Sequence, residues 1–159
     1  MKQSIEIILS EDHGFIDTLY DQYLEAKVKD SKNALNAFKT YKAALLRHIK
    51  CEEDLIFPVL GRFPEEIAAQ EVPTLREEHK IIIPLLMEVE KHLKEESDSS
   101  SSERRLFEEL HEHNAREEMR VYEPLHRLLS ESEKQRVADE LKSMRFFTHM
   151  NSHDMPKLQ

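Results

Sequence analysis

Glycine, cysteine and tryptophan are nearly missing from this chain of 159 residues, which has two Gly, one Cys and no Trp. So little glycine, together with 35% charged residues and much Leu, Glu, Lys and Arg, favours an all-helical protein over a sheet protein. The single Cys51 cannot form an internal disulfide, which suits a reducing cytoplasm. The length fits one domain with a sizeable core.

The chain also lacks a concentrated patch of Lys and Arg, and its formal charge is −9. This charge argues against nucleic acid or an anionic membrane as the main partner. No apolar run approaches the roughly 20 residues of a membrane span. Residues 1–10 lack the basic region, the long apolar region and the cleavage site of a secretory signal. We therefore expect a cytoplasmic protein that binds neither nucleic acid nor membrane.

Apolar residues recur every three or four positions, which is the pattern of helices in a bundle. The pattern predicts four main helices and a shorter fifth, over residues 4–28, 32–60, 74–94, 101–129 and 131–147. Thr74 and Glu77 form a capping box that would start the third helix, after a polar connection over residues 62–72. Short and moderate loops predict an all-α, up-down-up-down four-helix bundle over residues 1–147, with a frayed tail over residues 148–159.

One motif occurs twice in the predicted bundle. Residues 48–53 read His-Ile-Lys-Cys-Glu-Glu, and residues 113–118 read His-Asn-Ala-Arg-Glu-Glu. A proline follows each copy at nearly the same distance, Pro58 in the first and Pro124 in the second. Because residues four apart share one face of a helix, each copy aims an imidazole and a carboxylate at the same point.

Each main helix carries ligand-type residues within its apolar stripe. In chain order they are His13, His48, Glu52, His79, His113 and Glu117. A buried charge without a partner costs several kcal/mol, so this set in one core needs a reason, and a metal provides one. Carboxylate oxygens and imidazole nitrogens suit iron, manganese or zinc, and six ligands exceed the four of the usual zinc site. They suit two metals that the two carboxylates bridge, with open positions for a small molecule.

The order of the motif separates two kinds of bundle. Ferritin-like sites use Glu-x-x-His, whereas here His precedes Glu by four residues and histidines outnumber carboxylates. The sequence resembles the hemerythrin-like family, also called the HHE cation-binding domain, from His13 through about Leu129. The resemblance rests on Asp-His-Gly-Phe-Ile at 12–16, His-x-x-x-Glu-Glu with Leu-Ile-Phe-Pro at 48–58, Glu-His-Lys-Ile at 78–81, and His-x-x-x-Glu-Glu at 113–118.

This resemblance implies two non-haem iron ions with an oxo or hydroxo bridge, manganese or zinc being alternatives, and a small diatomic ligand such as O2 or NO. Oxygen-carrying members place a second His one turn before the third-helix His, where this chain has Leu75, and space the last His and carboxylate one residue wider. The reduced set counts against reversible oxygen storage and leaves at least one metal more open. Members with this set look more like sensors of iron, oxygen or redox state, or proteins that handle nitric oxide or peroxide stress.

Three functional hypotheses remain open at this stage. The first is a di-iron module that binds or senses O2, NO, iron or redox state. The second is a di-iron enzyme acting on peroxide or nitric oxide, or an iron-handling or repair protein. The third is a structural bundle with an apolar or zinc-filled core. The sequence does not identify a protein partner.

Several other polar residues are expected to have minor roles. Glu53 and Glu118 lie one residue off the stripes, so we expect them to be solvated or to contact the ligands from outside. Tyr20 and Tyr41 lie within stripes and are interpreted as core packing. The remaining histidines fall off the stripes and are expected at the surface: His92, His111, His126, His149 and His153.

Overall fold

Ser4 caps the first helix, because its side-chain oxygen accepts a hydrogen bond from the backbone N–H of Ile7. The computed structural model describes residues 3–145. Its α-helices are α1 (Ile5–Lys29), α2 (Ser31–Cys51), α3 (Phe57–Leu60), α4 (Ile67–Lys94), α5 (Ser100–Glu117), α6 (Glu123–Leu128) and α7 (Glu131–Arg145). No strand occurs among residues 3–145, which confirms the all-α prediction.

Two short π-helical segments interrupt the longer helices. Segment π1 (Glu52–Ile56) joins α2 to α3, and segment π2 (Glu118–Tyr122) joins α5 to α6. Helix α2, segment π1 and helix α3 form one continuous helical rod, which corresponds to the predicted second main helix. Helix α5, segment π2 and helix α6 form another, which corresponds to the predicted fourth. A π-turn widens the helix by one residue, and such turns are frequent at functional sites.

The third main helix begins at Ile67, so the prediction that it begins at Thr74 was wrong. The predicted polar connection over residues 62–72 is therefore too long. Ala68 and Val72 are buried in the core, and their packing extends the helix by two turns beyond the local capping signal. Pro73 and Pro84 both lie inside this helix.

Ser130 and Glu133 form a capping box at the start of α7. The backbone N–H of Ser130 donates to Glu133 Oε2 at 3.0 Å, and the backbone N–H of Glu133 donates to Ser130 Oγ at 3.3 Å. Helix α7 packs against α1 and α2, so it belongs to the same helical body. The end of the predicted fifth helix and the predicted tail lie outside the described residues. The up-down-up-down order of the main helices remains a prediction.

The core consists of two apolar clusters with a polar layer between them. Helix α1 packs along α2, α4 packs along α5, and α2 also contacts α4. On α1, Leu9 belongs to one cluster and Ile16 to the other, and His13 lies between them. On α4, His79 lies in the same way between Leu75 and Ile82. No helix in the described part of the chain has the length and hydropathy needed to cross a membrane.

Truncating a core side chain of α4 should destabilise the protein far more than truncating a neighbouring surface side chain. Leu86 is fully buried, whereas Ile81 is 41% exposed. We expect Leu86→Ala to lower the free energy of unfolding by about 2–5 kcal/mol. The matched control Ile81→Ala should change it by about 0.5 kcal/mol at most. Urea unfolding measures both values, and equal losses would contradict the described packing of α4.

Candidate metal centre

Four buried imidazoles converge in the polar layer as two pairs. His13 Nε2 lies 2.9 Å from His48 Nε2, and His79 Nε2 lies 3.2 Å from His113 Nε2. The first pair joins α1 to α2, and the second pair joins α4 to α5. Each pair therefore presents two nitrogens to one point between a helix and the rod that follows it.

Glu52 and Glu117 lie between the two pairs, and both are fully buried. Each carboxylate offers one oxygen to a histidine of each pair. The oxygen-to-Nε2 distances are 3.2 Å for Glu52–His48, 3.2 Å for Glu52–His79, 3.2 Å for Glu117–His13 and 2.7 Å for Glu117–His113. The arrangement is that of two carboxylates bridging two neighbouring positions.

We name these positions by their histidines. Position A is formed by His13 and His48, and position B by His79 and His113, each together with the shared Glu52 and Glu117. Within each set the ligand atoms lie within 4.8 Å of one another. The structure therefore brings together all six residues that the sequence singled out.

A carboxylate holds every one of the four imidazoles at its outer nitrogen. The distances from Nδ1 to the carboxylate oxygen are 2.9 Å for His13–Glu118, 3.5 Å for His48–Asp12, 2.6 Å for His79–Glu53 and 2.7 Å for His113–Glu78. A carboxylate at Nδ1 selects the tautomer that carries the proton there, so the Nε2 lone pair faces the interior. The four lone pairs therefore face the two bridging carboxylates.

The sequence interpretation anticipated two of these four carboxylates. Glu53 and Glu118 contact ligand-type histidines from outside, as expected. Asp12 and Glu78 were missed, although each directly precedes one of the histidines, His13 or His79. The signal for them is an acidic residue followed by a histidine on a predicted helix.

Two buried oxygens in the centre have no hydrogen-bond donor. They are Glu52 Oε2 and Glu117 Oε1. Both face the Nε2 atoms of position B, which carry lone pairs when the Nδ1 atoms hold the protons. A buried carboxylate oxygen without a donor is costly, and acceptor facing acceptor adds repulsion. A cation between these atoms removes both costs, so the residues fit a metal.

The electrostatic field inside the centre stabilises a cation. Burial lowers the pKa of His113, but Glu117 and Glu78 outweigh this effect and raise it to about 10. Burial raises the pKa of Glu52, but His48 and His79 outweigh burial and lower that pKa well below its usual value. Both shifts show a field that stabilises a cation, whether a proton or a metal ion.

Tyr122 contributes a further oxygen that the sequence interpretation did not identify. Its hydroxyl lies 2.8 Å from Glu52 Oε1 and 2.8 Å from Glu117 Oε2. It also lies 3.2 Å from His13 Nε2 and 3.3 Å from His48 Nε2, so it belongs to position A. Burial, together with Glu117 and Glu52, raises its pKa well above the usual value.

Position B has a phenyl ring where position A has this phenol. Tyr122 follows Glu117 by five residues, and Phe57 follows Glu52 by five. The ring centroids of Tyr122 and His13 lie 5.6 Å apart, and those of Phe57 and His79 also lie 5.6 Å apart. Aligning the two copies of the motif reveals this difference in the sequence. Hydrogen bonds span five residues in a π-helix and four in an α-helix, so the α-helical period hides Tyr122.

The polar and aromatic residues outside the metal centre behave largely as expected. Tyr20 and Tyr41 pack together with ring centroids 5.1 Å apart, and Cys51 is buried in the core. His111 is exposed, as predicted, while His92 and His126 are half-buried rather than fully at the surface. His149 and His153 lie outside the described residues.

The stability of the metal-free protein should depend on the charge of His113. Its folded pKa of about 10 lies above its ordinary value of 6.5, so its stabilising effect is complete below pH 6.5 and disappears as the pH rises through about 10. We therefore expect the loss of unfolding free energy in His113→Gln to be largest below pH 6.5 and to shrink towards pH 10. Denaturant unfolding in chelator measures this loss, with His111→Gln as the exposed control on α5. A loss that grows with pH would contradict the described field.

Comparison with known proteins agrees with this geometry. Residues 5–125 match the profile of the hemerythrin HHE cation binding domain. Searches of curated proteins and of solved structures gave no match. The matched residues span most of the chain and include both motif copies, the bridging carboxylates and all four inner histidines. The chain therefore belongs to the family of hemerythrin HHE cation-binding domains.

Proposed function

We propose that the protein holds two iron ions, one at each position, and uses them to bind or sense O2, NO or a change in iron or redox state. The observation that supports this most strongly is the sharing of Glu52 and Glu117 by both positions. A single mononuclear site would not need a second pair of histidines on the far side of the same carboxylates. The proposal also places the protein in the cytoplasm, with a separate protein reading its state.

Iron bound by fewer protein donors than it can accept offers open positions to a small ligand. Position B provides two imidazole nitrogens and two shared carboxylate oxygens, and position A has the Tyr122 hydroxyl in addition. The side chains of the centre prepare this environment themselves. The outer carboxylates fix the imidazole tautomers, and the buried rings of Phe57 and Tyr122 help to exclude water.

Four donors at one position would also satisfy zinc or manganese. Zinc usually takes four ligands, which is the number that position B supplies. The mixed nitrogen and oxygen donors are compatible with all three metals. The identity of the metal is therefore the first quantity to measure.

A di-iron enzyme acting on peroxide or nitric oxide, or an iron-handling or repair protein, is the second candidate. A cavity of about 470 Å³ reaches His13 of position A and runs past Tyr41 and Leu110. A water molecule occupies about 30 Å³ of liquid, so this space far exceeds the needs of a diatomic ligand. The cavity therefore leaves room for a larger substrate beside the centre.

Protein loaded anaerobically with excess Fe2+ should contain iron at both positions, two ions per chain. Glu117→Ala removes one bridging carboxylate from both, so we expect its iron content to fall strongly. Glu112→Ala, an exposed residue on the same helix, should leave the iron content unchanged. Elemental analysis with an absorption spectrum measures this. Zinc alone, or no metal after anaerobic loading with Fe2+, would contradict the di-iron proposal.

Binding and turnover can be separated with the iron-loaded protein. For a sensor or binding module, O2 or NO should change the near-ultraviolet and visible absorption once, in proportion to protein. Continued consumption of peroxide or NO that disappears in Glu117→Ala would favour the enzyme. Glu112→Ala again serves as the control. No spectral change with either gas and no turnover would contradict gas binding and the enzyme, and would leave sensing of iron or redox state as the proposed function.

A further inference from the structure

We propose that the two metal positions differ in affinity, so that position A fills first and position B fills only at a higher concentration of free metal. This inference rests on the proposed di-metal function and adds to it which residues make one position stronger than the other. Three separate features of the described residues support it: an oxygen donor, a charge difference and a cavity.

The first feature is the extra oxygen donor at position A. The Tyr122 hydroxyl lies within 3.3 Å of both histidine nitrogens of that position. At the equivalent place in position B, Phe57 offers only a ring stacked on His79, with an angle of 18° between the planes. Position A can therefore supply five protein donors and position B four.

The second feature is the charge behind the imidazoles. At position B, Glu53 pairs with Arg76 at 3.1 Å, and Glu78 pairs with Arg116 at 3.1 Å. These guanidinium groups offset the negative charge that holds His79 and His113. A weaker negative field behind the imidazoles lowers the attraction of position B for a cation.

At position A the corresponding carboxylate belongs to Glu118. Its side chain is 47% exposed and contacts His13, and among residues 3–145 it forms no ion pair with Lys or Arg. This carboxylate, whose field water partly screens, lies 2.9 Å from the outer nitrogen of the imidazole. The Glu118 carboxylate therefore attracts a cation to position A more strongly than the arginine-paired carboxylates attract one to position B.

The third feature is the cavity beside position A. His13 lines it together with three acidic side chains, those of Asp17, Asp21 and Glu118. Acidic walls raise the local concentration of cations and speed their association. A free divalent cation therefore meets a negative surface as it approaches position A.

Together these features predict ordered loading. The first metal occupies position A, with its extra donor and, at Glu118, an outer carboxylate that forms no ion pair with Lys or Arg among residues 3–145. The second completes position B, which has fewer donors and a field weakened by arginine. Occupancy of position B would then follow the concentration of free Fe2+, which gives the protein a means of sensing iron.

Titration of the metal-free, full-length protein with Co2+ under anaerobic conditions tests this order. Two cations on shared carboxylates repel each other, so two binding steps alone do not show which position is stronger. The variants Tyr122→Phe and Phe57→Tyr provide that information as a matched pair. Calorimetry gives both dissociation constants, visible absorption of Co2+ reports the number of donors, and melting in chelator shows that each variant folds.

We expect Tyr122→Phe to weaken the first step about tenfold or more, with Phe57→Tyr strengthening the second. The double variant should restore the separation with the stronger position moved to B. Glu118→Gln should weaken the first step by about 10- to 100-fold and leave the second largely unchanged.

Dissociation constants that none of these variants alters would overturn the inference while leaving the di-metal proposal intact. Weakening of the second step instead of the first by Tyr122→Phe would also overturn it. A failure of wild-type protein to bind any Co2+ or Fe2+ would overturn the proposed function, and this inference with it.

Discussion

The hydrogen bond between each imidazole Nδ1 and a carboxylate is the contact on which the rest of the centre depends. It settles the tautomer, and the tautomer settles which atom faces inward. Without it, a neutral imidazole could carry its one proton on Nε2 and donate it to Glu52 or Glu117 in an ordinary buried hydrogen-bond network. With it, the lone pairs of neutral imidazoles and the carboxylate oxygens share one small volume, and either added protons or a metal ion make that volume favourable.

This polar layer is costly for a bundle of this size, and its position explains how the cost is tolerated. It lies between two apolar clusters, which bury residues such as Leu86 and Leu125 on either side. The clusters hold the helices together on both sides of the layer, so the ligand residues are brought together before any metal binds. Metal binding then stabilises the folded chain by mass action, because the unfolded chain has no comparable site.

The sequence predicts those features of the centre that follow the α-helical period. His13, His48 and Glu52 lie in apolar stripes, and for that reason they could be recognised without a structure. Tyr122 could not, because π2 places it one π-turn after Glu117, outside the α-helical register. The start of α4 was misplaced for a different reason, since buried packing of Ala68 and Val72 outweighs the local capping signal at Thr74. Contacts across helices, such as Arg76 with Glu53, leave no trace in the period of either helix.

The π-helical segments also set a rule for insertions and deletions in this chain. Removing one residue from π2 after Glu118 would return the rod to a regular α-helix, in which the tyrosine would follow Glu117 by four residues, one turn on. The phenol would therefore still face the centre, and the phenyl ring after π1 would behave in the same way. A deletion in the regular part of either rod would instead turn everything beyond it by about 100°. One-residue changes in length are therefore tolerated within π1 and π2 and disruptive elsewhere in the two rods.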